Sequence, residues 1–201
     1  MSAQNHQNNP LQVAVIIGST REGRFGPVVA DWAISHIDGR DDMTADRVDL
    51  TETPLPSVFP DFTRPLPEEV ATRIGAVATR LSAADAFVVV TPEYNHSFPA
   101  PLKNLIDLHN EQWHAKPVGF VSYGGLSGGL RAVEHLRVVF AEVHSVTIRN
   151  TVSLHNAGRL FDAGGRPTDP ASDHAAKGML DQLAWWGGTL RDAKLTNPYT
   201  A

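Results

Sequence analysis

Short apolar runs alternate along the chain with apolar stripes at helical spacing. Residues 13–17 (Val13, Ala14, Val15, Ile16, Ile17) are a mostly β-branched run that reads as a buried strand. Gly18 ends it, and a polar loop follows. The apolar pattern resumes with helical spacing at Phe25, Val28, Val29 and Trp32, with Pro27 in the first turn, where proline is tolerated. Residues 47–50 read as a second short strand. Residues 51–67 carry Pro54, Pro56, Pro60, Pro65 and Pro67 and cannot be regular structure. A connection this long in a compact domain usually serves a function or an interface. Residues 68–84 put Val70, Ile74, Val77 and Leu81 on one helix face, and residues 86–90 form a third, strongly apolar strand. A helix opening near Pro99 and Pro101 carries Leu102, Leu105, Ile106 and Leu108. Residues 117–121 read as a fourth strand. The helix after it turns Leu130, Val133, Leu136 and Phe140 inward. Residues 145–148 read as a fifth strand, 151–170 as irregular, and 172–191 as a last helix with Ala175, Met179, Leu183, Trp186 and Leu190 in register. Trp185 and Trp186 read as core or interface packing rather than as a cofactor box.

Strands alternating with helices imply a parallel sheet covered on both faces, with right-handed crossovers. The expected fold is α/β, a three-layer sandwich with five parallel strands in the flavodoxin-like order 2-1-3-4-5. In that order ligands sit at the carboxyl ends of strands one and three, where the winding direction switches. Residues 11–195 read as one domain. Residues 1–10 are polar and Asn/Gln-rich, with neither a basic start nor an apolar core, and read as a disordered tail rather than a secretory signal.

Composition narrows the classes. The 201 residues are 42% hydrophobic, enough for one sizeable core. A net charge of -5 without strong runs of either sign points away from nucleic acid. The absence of cysteine removes disulfides, thiol catalysis and thiolate metal sites, and fits a cytoplasmic chain. No apolar stretch reaches the roughly 18 residues of a membrane span. His96 and His109 have no partner at metal-ligand spacing, nor does His144 with His155, so they read as helix-end or surface histidines.

The chemistry gathers in three loops that the topology brings to one sheet edge. Residues 18–24 hold Ser19, Thr20, Arg21, Gly23 and Arg24 between a strand and a helix. Backbone N–H groups and the dipole at a helix start favour an anion, and two arginines add charge-assisted bonds. The loop has neither the G-x-G-x-x-G fingerprint nor the lysine of the ATP loop, and suits one terminal phosphate monoester. Asp49, where a dinucleotide fold keeps a ribose-binding acid, reads here as a solvated strand end or loop cap. Residues 91–97 offer backbone amides, the Tyr94 ring and the Asn95 amide. In residues 122–129, Gly124, Gly125, Gly128 and Gly129 would let backbone approach a flat ligand. A flat heteroaromatic ring tethered to a phosphate, such as FMN, satisfies all three.

G-S-T-R-E-G-R, P-E-Y-N-H-S-F-P-A-P-L-K-N and S-Y-G-G-L-S-G-G, in this order and spacing, resemble the NADPH-dependent FMN reductase family, which includes quinone, azo-compound and chromate reductases. The resemblance covers about residues 11–150. It implies phosphate binding by Ser19, Arg21 and Arg24, with the backbone near Phe25 and Gly26 completing the cradle. It implies isoalloxazine binding by Pro92, Glu93, Tyr94 and Asn95, with Ser122, Tyr123, Gly124 and Gly125 closing on the ring's other edge. Many members have Ser where Arg24 stands and Asn where Gly26 stands. Asn95 could equally be a turn residue that tolerates positive φ, and Glu93 could pair with a cation at a subunit contact. Lys103 and Asn104 are expected to support the loop or a dimer.

The expected activity is an FMN-dependent NAD(P)H oxidoreductase with a quinone, azo, nitro or metal-oxyanion acceptor, or free flavin, served in ping-pong order. NADPH or NADH would be co-substrate, and no side chain is named as a catalytic acid or base. The alternative is a non-enzymatic electron carrier of the flavodoxin type, but such carriers dock through a strongly acidic face that this chain lacks. Leu55, Val58, Phe59 and Phe62 among the prolines of 51–67 point to a homodimer or a dimer of dimers, since soluble monomers seldom leave such patches bare. No nucleic-acid or membrane partner is expected.

Overall fold

The computed structural model describes residues 9–201, and the expected tail lies outside the described residues except for its last two. The apolar runs become five strands: β1 (Leu11–Ile17), β2 (Met43–Asp49), β3 (Ala86–Pro92), β4 (Pro117–Tyr123) and β5 (Val146–Leu154). All pair in parallel, in the order β2-β1-β3-β4-β5 that the alternation predicts. Among the described residues six α-helices connect or flank them: α1 (Gly26–Asp38), α2 (Glu68–Ala83), α3 (Ala100–Leu108), α4 (Leu130–Glu142), the short α5 (Ala157–Leu160) and α6 (Pro170–Thr196).

The central strands are mostly apolar and, apart from Gln12, buried at every position because both faces are covered. Val13, Val15 and Ile17 of β1 pack with α1 and α6, on residues such as Val29, Ala33, Met179 and Leu183. Ala14 and Ile16 point the other way, into a second core with Leu81 of α2, Leu105 of α3 and Leu136 of α4. Trp186 packs against the first core, whereas Trp185 is 63% exposed. His109 is buried at the end of α3, its Nδ1 2.8 Å from the Leu105 carbonyl, so it is a helix-end residue but not a surface one.

Both edge strands are longer than their sequence pattern. β2 begins at Met43 because Thr44, Ala45 and Asp46 lie at an edge, where polar and half-buried positions are tolerated. β5 runs on to Leu154 through a register shift between Val118 and Phe120 of β4, so the first residues of the stretch read as irregular are strand. The long connection is anchored where Asn104 of α3 donates to the Pro56 carbonyl at 2.8 Å.

Candidate active site

Because the strands are parallel, β1, β3 and β4 deliver their carboxyl ends to one edge, and the chain reverses its winding between β1 and β3. The loop after β1 leads into α1 without a side-chain cap; its N-cap is Phe25, and its first turn holds Pro27 and no acidic residue. The first N–H groups of α1 are therefore available to an anion. Gly26 is glycine for a steric reason: a Cβ there would overlap Ser19 Oγ and lie 2.9 Å from Tyr123 Oη. The Phe25 ring packs edge-on against Phe161, with 5.2 Å between centroids, leaving its backbone in the loop.

The two arginines of this loop have different surroundings. Arg21 is exposed, has no ion-pair partner among the described residues, and holds its guanidinium 5.8 Å from the Tyr94 ring centroid. Arg24 folds under the loop. It makes a bidentate pair with Asp49 at 2.8 and 2.9 Å and donates to the Ser19 carbonyl at 2.9 Å. Asp49, at the end of β2, is 1% exposed. Burial pushes its carboxyl up, but the Arg24 bonds and the Thr51 N–H outweigh this and hold it below the usual carboxylate range. The expectation of a solvated strand end is thus corrected: Asp49 does cap the next loop, but as a buried charge with Arg24 and, at 3.3 Å, Arg47 as counter-charges.

In the second loop, Pro92 is buried at the end of β3 and Tyr94 is half-buried. Tyr94 and Ser97 bond to each other's backbone across a two-residue turn, with Asn95 at φ +50° and His96 at φ +69°. Asn95 therefore is a positive-φ turn residue, and its side chain is exposed. Glu93 turns away from solvent. Its carboxylate accepts from Ser127 Oγ at 2.7 Å, from the Arg131 N–H at 3.2 Å and from Arg131 Nε at 2.6 Å. Burial pushes Glu93 up, and those donors more than reverse it, keeping the group ionised. The cation it meets is Arg131 of its own chain.

The third loop divides into two halves. Gly124 is partly exposed and Gly125 exposed, and a Cβ on Gly125 would meet nothing within 4 Å, so backbone here can approach a flat ligand. Gly128 and Gly129 are glycines for local reasons instead. Both have positive φ, and a Cβ would press on the His155 ring at 2.8 Å or on Ser122 Cβ at 2.7 Å. Ser122 is fully buried and donates to the Gly128 carbonyl at 2.7 Å. The Tyr123 phenol is pushed up to about 12 by burial, stays protonated, and donates to Ser19 Oγ at 3.2 Å.

Arg21, Tyr94, Asn95, Gly124 and Gly125 thus face solvent at least in part, while the side chains of Ser19, Arg24, Ser122 and Tyr123 are turned inward and hold the loops. Sequence reasoning missed Ser127 and Arg131. A signal existed for the latter: an arginine in the first turn of α4 opposes the helix dipole and calls for a nearby anion.

Residues 11–159 match the family model described as NADPH-dependent FMN reductase. The chain belongs to this family. It is an oxidoreductase that works with FMN and NAD(P)H. Among its relatives is an NAD(P)H-dependent FMN reductase of Schizosaccharomyces pombe, 36% identical over 59% of this chain and 60% of the yeast protein. A protein of Oryza sativa subsp. japonica named probable NADPH:quinone oxidoreductase 2 is 32% identical over 86% of this chain and 87% of its own length. The fold is similar to that of FerB, a flavoenzyme NAD(P)H:(acceptor) oxidoreductase from Paracoccus denitrificans, with a TM-score of 0.72, 23% identity, and coverage of 89% of this chain and 98% of that one. The uncapped start of α1, the unpaired Arg21 and the bare Gly125 surface fit an FMN reductase: an anion cradle beside a floor without side chains.

Proposed function

We propose that this FMN reductase homologue oxidises NAD(P)H and reduces a small quinone, azo, nitro or metal-oxyanion acceptor, or free flavin, the two substrates using one open face in turn. The observation that carries this is the convergence of three loops on an edge where the Gly125 backbone is free of side chains. A face walled by backbone favours flat substrates of varied outline over one shape-matched ligand. FMN, when bound, supplies hydride acceptance from the nicotinamide and electron donation to the acceptor.

The chain's own residues would bind and orient. Arg21 and the first N–H groups of α1 would hold the phosphate, and the 2.9 Å bond from Arg24 to the Ser19 carbonyl would keep that loop in shape. Tyr94 and Asn95 would border the ring on one side, and Gly124 and Gly125 on the other. Pro92 would close the floor from β3. A cleft of about 300 Å³ between Thr20, Leu55, Pro101 and Asn104 sets the 51–67 connection against the phosphate loop, which supports a role for that connection in walling the site. No helix among the described residues is long and apolar enough to cross a membrane, in keeping with a cytoplasmic enzyme.

The test is steady-state turnover of the FMN-loaded protein with NADPH and NADH against a panel of quinones, azo dyes, nitroaromatics and chromate. Parallel double-reciprocal lines with at least one acceptor are expected. Failure to oxidise either nicotinamide with any acceptor would overturn the reading and favour an electron carrier that needs a separate reductase.

A further inference from the structure

We infer that Glu93 is a positioning residue whose buried carboxylate clamps the loop after β3 to the loop before α4, setting the width of the slot for the flavin ring without touching the ring. This rests on the FMN reading above. The Glu93 side chain is 7% exposed, and its carboxylate is taken up by Ser127 Oγ and by two donors of Arg131. Its negative charge therefore sits at the start of α4, where the helix dipole favours it.

Two further ties join the same loop to the same helix. Arg131 Nη1 lies 3.0 Å from His96 Nε2, and His135 Nδ1 lies 3.1 Å from Ser97 Oγ, one turn farther along α4. Arg131 is thus held between Glu93 and His96. The turn itself points the same way. A two-residue turn with positive φ at both central positions prefers Asn-Gly, yet its second position is His96 at φ +69°. A side chain there costs conformational energy that glycine would not, and what the imidazole gains is its contact with Arg131.

The other half of the third loop is held instead from the end of β5, where the Asn156 and Ala157 N–H groups donate to the Gly125 and Gly124 carbonyls at 3.0 and 3.1 Å, and a Cβ on Gly125 would meet nothing within 4 Å. The clamp therefore fixes one wall of the slot relative to the other while leaving the ring-facing backbone clear. The phosphate loop is held by different residues, through Arg24 with Asp49 and Tyr123 with Ser19. Loosening the clamp must weaken the grip on the ring and leave the grip on the phosphate intact.

The experiment measures dissociation constants of FMN and of riboflavin by quenching of flavin fluorescence. It adds the visible circular dichroism of the bound flavin and the melting temperature of the apoprotein. Glu93→Gln keeps the shape and removes the charge. It is expected to raise both dissociation constants by the same factor, about tenfold, as for loss of a charge-assisted bond, and to change the dichroism of the bound ring. Ser127→Ala removes one bond without stranding a charge and is expected to give a smaller loss, again equal for both flavins. It decides the matter if Glu93→Gln fails to fold. His96→Gly, which suits the turn, should follow the same pattern. An effect on FMN without one on riboflavin, or no effect on either, would overturn the clamp. Wild-type protein that binds neither flavin would overturn the FMN reading itself, and the clamp with it.

Discussion

At the residue scale, the two arginines of the first loop do different work. Arg21 has no ion-pair partner among the described residues, and Arg21→Ala is expected to lower FMN affinity by about 2 kcal/mol, as for a charge-assisted contact. Riboflavin, which lacks the phosphate, should bind wild type and variant alike, and fluorescence titration of both flavins checks this. Equal losses would make Arg21 a structural residue. Gly26 is fixed by its neighbours, since a Cβ would overlap Ser19 Oγ and crowd Tyr123 Oη. Gly26→Ala is expected to cost about 1–3 kcal/mol of stability through overpacking and to displace Ser19, so that FMN affinity falls with it. Chemical denaturation and FMN titration of the same sample report the two effects together.

At the scale of elements, the Arg24–Asp49 pair joins the loop before α1 to the end of β2. The two side chains are 14% and 0% exposed, and removing Arg24 leaves the buried Asp49 carboxylate with only Arg47, at 3.3 Å, as counter-charge. Arg24→Ala is expected to cost about 3 kcal/mol. The pH dependence follows from the depressed carboxyl of Asp49. The pair's contribution is fully present above the ordinary value of 3.8 and is lost as pH falls through the lower folded value, because the unfolded chain takes up its proton first. The stability gap between wild type and Asp49→Asn, which removes this titration, measured by urea unfolding, should therefore stay constant from about pH 7 to pH 5 and narrow below about pH 4. A gap that narrows near neutral pH would mean that another group is responsible.

At the scale of the whole molecule, the 51–67 connection is half docked. Leu55 packs on the second core and Pro56 is tied to Asn104, while Val58, Phe59 and Phe62 remain 78%, 56% and 54% exposed. Phe59 and Phe62 meet edge to face, with 5.6 Å between centroids, and form one apolar knob. Such a knob on a proline-stiffened loop loses little entropy on docking. We expect the active form to be at least a homodimer of the 21.8 kDa chain. Phe59→Asp and Phe62→Asp should dissociate it and abolish NAD(P)H oxidation while FMN still binds. Sedimentation over a wide concentration range, with turnover measured on the same samples, checks this. A fully active species of single-chain mass at micromolar concentration would refute the dimer requirement.

The order of strands and helices, the sheet topology and the meeting of three loops at one edge were legible in the chain itself. Each follows from local periodicity and from the rule that parallel strands present their carboxyl ends together. The edge strands β2 and β5 were read too short, because an edge tolerates the polar residues that a central strand excludes. What only the tertiary structure decided was the pairing of charges. Arg24 meets Asp49 across 25 positions, and Glu93 meets Arg131 across 38. Residue type marks each as able to bind an anion or a cation, but the partner is whichever opposite charge the fold brings near and buries. That choice turned Arg24 and Glu93 toward the protein and left Arg21 without an ion-pair partner among the described residues.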